Sequence, residues 1–184
     1  FEELEMVLKA FQKANLTFNP QKCHFARKEV TYLGYNINEH GIKPDPKNVE
    51  VIKNFPIPKR VRDVRSFLGS LNYYRKQIPG FSVIAKPLNQ LLRKGVKFVF
   101  EEEHTRAFEA LKNKLISAPI LGYPRSDLPY TLITDASDYS VGYSLFQEQD
   151  GVNRLIAANG KSLSKTQQNW PVHEKEGYAV IMGL

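Results

Sequence analysis

The sequence carries one cysteine, Cys23, so no disulfide can form within the chain. No apolar run approaches the ~20 residues that a membrane span requires, and no membrane partner is expected. His24, His40, His104 and His173 share no metal-binding spacing, and Cys23 beside His24 lacks a second such pair, which argues against zinc. GxGxxG, Walker and GxSxG motifs are missing, so nothing points to dinucleotide binding, a P-loop or a serine hydrolase. No repeat of 20 to 50 residues and no low-complexity tract is present. The chain has no initiator Met and no signal peptide. It opens and closes inside helical patterns, which suggests a piece of a longer polypeptide in an intracellular, reducing setting.

Acidic residues are scarce in one long stretch. From Lys43 to Lys97 only Asp45, Glu50 and Asp63 stand against Lys43, Lys47, Lys53, Lys59, Arg60, Arg62, Arg65, Arg75, Lys76, Lys86, Arg93, Lys94 and Lys97, in a chain of net charge +7. A solvated face would mix both signs, so this segment implies an anionic partner. Nucleic acid is favoured over a membrane because no Trp/Leu-rich insertion face accompanies the charge.

The hydrophobic pattern is that of an α+β chain. Leu4, Val7, Leu8 and Phe11 form a helical stripe that reads as a packing helix. "VTYLGYNI" predicts a β-hairpin around Leu33, Gly34 and Tyr35, or equally an ordinary strand in which Gly34 marks a bulge or a crowded neighbour. Asp45 as N-cap, Pro46 in the first turn and Pro56 beyond the end delimit a short helix. In "VRDVRSFLGSLNYYRKQI" one helical side carries Val61, Val64, Phe67, Leu68, Leu71, Tyr74 and Ile78. The other carries Arg62, Arg65, Ser66, Gly69, Asn72, Tyr73 and Lys76. Gly69 costs about 1 kcal/mol relative to Ala in mid-helix and adds nothing to a core, which suggests close approach of a ligand. The alternative is a solvated helix with a tolerated glycine.

Downstream, "VKFVF" reads as a strand, the Phe108/Leu111/Leu115 stripe as a helix, and "SAPILGYPRSDLPY" as a connector marking a domain boundary. Three further strands are expected at Tyr130–Asp135, Val141–Gln147 and Arg154–Ser162, then a helix with Pro171 in its first turn. Asp135 arrives where the strand pattern predicts a half-buried side chain. Glu174 and Glu176 point about 200° apart on the last helix. Glu176 shares a small-residue stripe with Val172, Ala179, Val180 and Gly183, so it is the carboxylate that packs toward the sheet. Asp135 and Glu176 together could hold a divalent cation; a capping contact and a surface charge account for them as well.

These segments resemble, in order, the reverse transcriptase and ribonuclease H region of LTR retrotransposon polyproteins, most closely gypsy-type elements. "NPQKCHFARKEVTYLGYNINEHGIKPDPKNVEVI" is similar to the end of the palm with its primer-grip hairpin (1–42), and "FPIPKRVRDVRSFLGSLNYYRKQIPGFSVIAKPLNQLLRKG" to the helical thumb (43–95). "FEEEHTRAFEALKNKLISAPILGYP" is similar to the connection (96–129), and "ITDASDYSVGYSLFQ" with "HEKEGYAVI" to the start of a ribonuclease H-like mixed sheet with one helix (130–184).

The resemblance implies that Asp135 and Glu176 are the first two catalytic, metal-binding carboxylates, with Mg²⁺ as the ion and Mn²⁺ as an alternative. It places Leu33, Gly34 and Tyr35 at the primer strand and lays Arg62, Arg65, Gly69, Tyr73 and Lys76 along a duplex minor groove. The implied partners are template-primer duplex, RNA–DNA hybrid and the rest of the polyprotein, with homodimerisation open, in a cytoplasmic particle with the nucleus as a further compartment. The polymerase YxDD hairpin and the later ribonuclease H aspartates are not in the sequence, so the chain alone is expected to be inactive. Two other readings are a non-catalytic nucleic-acid-binding remnant and an interaction scaffold.

Overall fold

The computed structural model describes residues 1–184. It is an α+β arrangement of two antiparallel three-stranded sheets flanking a helical core. Helix α1 (Glu2–Lys13) leads into β1 (Glu29–Tyr32), β2 (Tyr35–Asn38) and β3 (Gly41–Pro44), a meander in sequence order. Pairing of Tyr32 with Tyr35 leaves Leu33 and Gly34 as a two-residue turn, both at positive φ (46° and 75°), the geometry that matches strand twist in tight hairpins.

The helical core follows: α2 (Pro46–Lys53), α3 (Val61–Asn72), α4 (Phe81–Ile84), α5 (Lys86–Gln90) and α6 (Glu102–Ile116). Asp45 caps α2 by accepting the Lys47 N–H, and Pro46 sits in the first turn. Val64, Phe67, Leu68 and Leu71 of α3, Tyr74 and Ile78 beyond it, and Ala107, Phe108, Leu111 and Leu115 of α6 form one buried cluster. The α3 face expected to be apolar is therefore the buried one. Truncating a fully buried aromatic such as Phe67, whose ring lies 4.4 Å from that of Phe108, would cost about 3–5 kcal/mol.

The second sheet comprises β4 (Thr131–Ala136), β5 (Ser140–Gln149) and β6 (Val152–Ser162), in sequence order, followed by α7 (Lys165–Gln168) and α8 (Val172–Gly183). Asp150 and Gly151 make the β5–β6 turn, again at positive φ. Helix α8 packs on the sheet: Ala179 joins Val141 and Leu163 in a small core that Ala136 borders, and Gly183 lies so close to Leu132 that a Cβ there would come within 2.7 Å of it.

The connector joins the two sheets directly. Ile42 and Leu121 exchange both backbone hydrogen bonds at 2.9 Å, and the Gly122 N–H continues to Leu155 O at 2.8 Å. Only glycine fits at position 41, with φ 136° and a Cβ position 2.1 Å from Leu121 O. Arg75 closes a second tie, donating from Nη2 to Gly160 O at 2.6 Å.

Several expectations are corrected. "VKFVF" forms no strand, because no neighbouring strand offers it a ladder; Phe98 and Phe100 pack on the helical core instead. The helix expected to reach Ile78 ends at Asn72, and Arg75–Gln77 form a 3₁₀ turn. There, side chains of Tyr73, Tyr74, Arg75 and Gln77 are committed to distant backbone carbonyls, which overrides local propensity. The stripe of α1 does not pack: every residue of that helix is exposed.

Candidate nucleic-acid interface and carboxylate site

The β1–β2 turn rests on the C-terminal end of α3. Tyr73 donates its hydroxyl hydrogen bond to Leu33 O, Tyr74 donates to Gly34 O at 3.0 Å, and the Tyr35 hydroxyl donates back to Tyr73 O at 2.9 Å. The rings of Tyr35 and Tyr73 lie 5.2 Å apart at 31°. Burial pushes the Tyr35 and Tyr74 hydroxyls upward in pKa, against a smaller opposing effect at Tyr74 of the hydrogen bond from Asn48, so both remain neutral donors. Residues expected to share one ligand, Leu33, Gly34, Tyr35 and Tyr73, are thus brought together from positions about 40 apart in the chain. One face of the Tyr73 ring is spent on Tyr35, so it is not a free stacking platform.

Along α3 the polar face is open. Arg62, Arg65, Gly69 and Tyr73 are exposed, and a Cβ at Gly69 would meet nothing within 4 Å. Lys76 is exposed as well but stands on the 3₁₀ turn, beyond the α-helix. Arg65, Gly69, Asn72 and Arg75 border a groove of about 490 Å³ whose opposite wall is Gly160, Lys161 and Ser162 of β6. No carboxylate lines it. At the start of α3, the Lys59 backbone N–H and the Arg60 guanidinium bind Asp63 and hold its carboxyl below the ordinary aspartate range. The one acid of this helix is thereby turned to its own N-terminal turn.

Asp135 is exposed, not half-buried as the pattern suggested. It pairs opposite Gly142 near the end of β4, in the alternating set with exposed Thr131 and Ile133, whereas Leu132 and Ala136, of the other set, meet α8. Glu176 is half-buried on α8. The small-residue stripe packs in part: Ala179 is buried and Gly183 lies against Leu132 as expected, whereas Val172 and Val180 are exposed and Lys175, outside the stripe, is buried. The packing brings the two elements together without itself joining the two carboxylates. Neither Asp135 nor Glu176 makes a side-chain hydrogen bond or ion pair within the protein, leaving hard oxygen donors of the kind Mg²⁺ prefers, and by donor chemistry they fit that ion. Glu101, Glu103 and His104 are the one place where three ligand-bearing side chains fall within mutual reach. His104 there is buried and accepts the Glu101 N–H at Nδ1 (3.0 Å), which is a helix-capping role.

Sequence reasoning missed three polar groups. Lys175, with a side chain only 6% exposed, reaches Asp138 in the β4–β5 turn, Nζ to Oδ1 at 3.2 Å. Asn48 and Arg75 hold other elements together, and nothing in their local sequence marks them; their partners lie 26 and 85 residues away.

Comparison with known proteins gives concordant matches. Residues 100–184 match the family model for an RNase H-like domain found in reverse transcriptase. The chain is 38% identical to the retrovirus-related Pol polyprotein from transposon opus of Drosophila melanogaster, over 100% of this chain and 19% of that protein. It is 37% identical to the Tf2-3 polyprotein of Schizosaccharomyces pombe, over 97% of this chain and 13% of that protein. The chain therefore spans less than a fifth of the length of these relatives. Among solved structures it is similar to the foamy viral protease-reverse transcriptase dRH in complex with double-stranded DNA, with TM-score 0.79 and 27% identity over 96% of this chain and 31% of that one. It is also similar to the foamy viral protease-reverse transcriptase in complex with RNA/DNA hybrid, with TM-score 0.78 and 25% identity over 98% of this chain and 25% of that one.

Proposed function

We propose, on the match of residues 100–184 to the model of an RNase H-like domain found in reverse transcriptase and on the likeness to retroelement polyproteins, that the chain is the template-primer and hybrid-binding part of a gypsy-type reverse transcriptase and ribonuclease H. In this reading residues 1–42 end the palm, 43–95 form the thumb, 96–129 the connection and 130–184 belong to ribonuclease H. One observation carries it: the turn at Leu33–Tyr35 sits on the Tyr73 end of α3, whose exposed polar face carries Arg62 and Arg65, with exposed Lys76 in the 3₁₀ turn beyond. Two similar solved structures hold nucleic acid, which supports the same reading.

The cations neutralise phosphates, which makes binding salt-dependent and sequence-tolerant. The missing side chain at Gly69 leaves room for a sugar edge against the helix backbone. Asp135 and Glu176 would hold Mg²⁺, which when bound supplies activation of water and stabilisation of the leaving oxygen in phosphodiester hydrolysis. The chain's own part there is to present two free carboxylates at a strand end and on a helix packed against that sheet.

The test is a titration of RNA–DNA hybrid at several salt concentrations, with the Arg62→Ala/Arg65→Ala variant alongside. The expected result is weaker binding and a flatter slope of log K against log salt, by about 0.9 for each phosphate that is no longer neutralised. Equal affinity and slope in the two proteins would reject the reading.

A further inference from the structure

Two consecutive tyrosines hold two consecutive carbonyls. The left-handed conformations of Leu33 and Gly34 present their carbonyl oxygens to the end of α3, where the hydroxyls of Tyr73 and Tyr74 receive them in order. The two tyrosines differ in exposure. Tyr73 is at the surface, whereas Tyr74 is 3% exposed and packed into the helical core. The Tyr74 hydroxyl also accepts a hydrogen bond from Asn48 Nδ2 at 2.8 Å, which ties in α2. The Asp45 N–H adds a further bond to Gly34 O at 2.9 Å. The fit is close: a Cβ on Gly34 would lie 3.0 Å from Asn48 Nδ2 and 3.1 Å from the Tyr74 hydroxyl.

The hairpin needs such a tie. All four residues of β1 are exposed, so the outer strand has no apolar packing of its own to fix the angle at which the turn meets α3. Tyr35 anchors β2 by packing on the helical core, and the hydrogen bonds of Tyr73 and Tyr74 fix the turn itself. We infer that Tyr74 and Asn48 are positioning residues for nucleic-acid binding: they fix the Leu33–Gly34 turn relative to α3, so that the turn, Tyr73 and Arg65 address one duplex at once. The inference rests on the function proposed above. Tyr74 is buried and Asn48 acts through it, so neither is assigned a contact with the ligand.

The decisive variant is Tyr74→Phe, which keeps the ring in the core and removes only the hydroxyl. Hybrid affinity is measured against salt well below the unfolding temperature, and amide hydrogen exchange of the turn is followed in the free protein. A positioning role gives a several-fold loss of affinity with an unchanged salt slope, because every phosphate-neutralising cation is still present. It also gives faster exchange at the turn and unchanged exchange in α6. Asn48→Ala should move both readouts in the same direction. Wild-type affinity in Tyr74→Phe overturns the inference, even where thermal stability falls. The two failures are distinguishable. If Arg62→Ala/Arg65→Ala flattens the slope while Tyr74→Phe binds as wild type, the positioning role alone fails; if the arginine variant also binds as wild type, the underlying reading fails with it.

Discussion

The Arg75 guanidinium reaches across the molecule to Gly160, donating from Nη2 to its carbonyl oxygen at 2.6 Å. Ser82 Oγ donates to the same oxygen at 3.2 Å, and the guanidinium carbon lies 5.7 Å from the centre of the Phe81 ring. Gly160 itself admits no side chain, since a Cβ would fall 2.9 Å from Val141 O. With the Ile42–Leu121 bridge, this contact fixes where the second sheet stands against α3 and hence the width of the groove between them.

Arg75→Ala should destabilise the chain by about 2 kcal/mol, the range for a hydrogen bond to a charged group whose acceptor is left behind. Arg75→Lys should rescue little, because one ammonium cannot reproduce a planar group that donates from Nη2 to Gly160 and Ser82 and from Nη1 to Asn72. Denaturant unfolding measures both. A wild-type midpoint in Arg75→Ala would show that the Ile42–Leu121 bridge suffices to hold the junction.

At Gly69 stability and binding should move in opposite directions. The position is mid-helix, exposed and open for at least 4 Å around the missing Cβ. Gly69→Ala should therefore stabilise the chain by about 1 kcal/mol through helix propensity alone. The same methyl should weaken hybrid binding, and Gly69→Val should weaken it further. Thermal melts and titrations on the same protein separate the effects. Increased stability with unchanged affinity in both variants would mark Gly69 as a solvated position that no ligand approaches.

Much of this fold was legible because short periodic signals had one solution. Asp45 and Pro46 start α2 as their chemistry requires, and the apolar side of α3 is the buried one because its two faces differ sharply in polarity. Helix α8 lacked that contrast: Val172, Val180 and Ile181 are apolar yet exposed, so sequence alone added Val172 and Val180 to a stripe of which Ala179 and Gly183 are the members that pack. The capping-box spacing of Ser164 and Gln167 was available to read, and it starts the short helix α7. What could not be read were contacts made by tertiary placement. Nothing near Arg75 announces Gly160, and nothing in "VKFVF" announces that no strand will pair with it. At the candidate interface the residue types were legible; that the β1–β2 turn sits on Tyr73 and Tyr74 depends on chain reversals far from either.

Asp135 is the sharpest test of the carboxylate site. Its side chain is exposed and free of hydrogen bonds, so Asp135→Asn removes a charge without breaking any contact of the fold. The melting profile and the β4–β5 pairing should stay as they are. Binding of Mn²⁺, followed by its paramagnetic effect on nearby nuclei, should be weak in the wild-type chain, because two carboxylates leave most of the coordination to water. It should centre on Asp135 and Glu176 and vanish in Asp135→Asn. Lys175 and Asp138 supply an internal control: their ion pair lies three residues after Asp135 and one before Glu176, and a buried ammonium deprived of its partner destabilises the fold. Asp138→Asn should thus shift stability, whereas Asp135→Asn should shift metal binding. In a polyprotein segment that contains this chain and cleaves the RNA of a hybrid, Asp135→Asn should abolish cleavage. Full cleavage there, or Mn²⁺ broadening that ignores Asp135 and gathers at Glu101 and Glu103 instead, would remove Asp135 from the chemistry and leave it a solvated residue at a strand end.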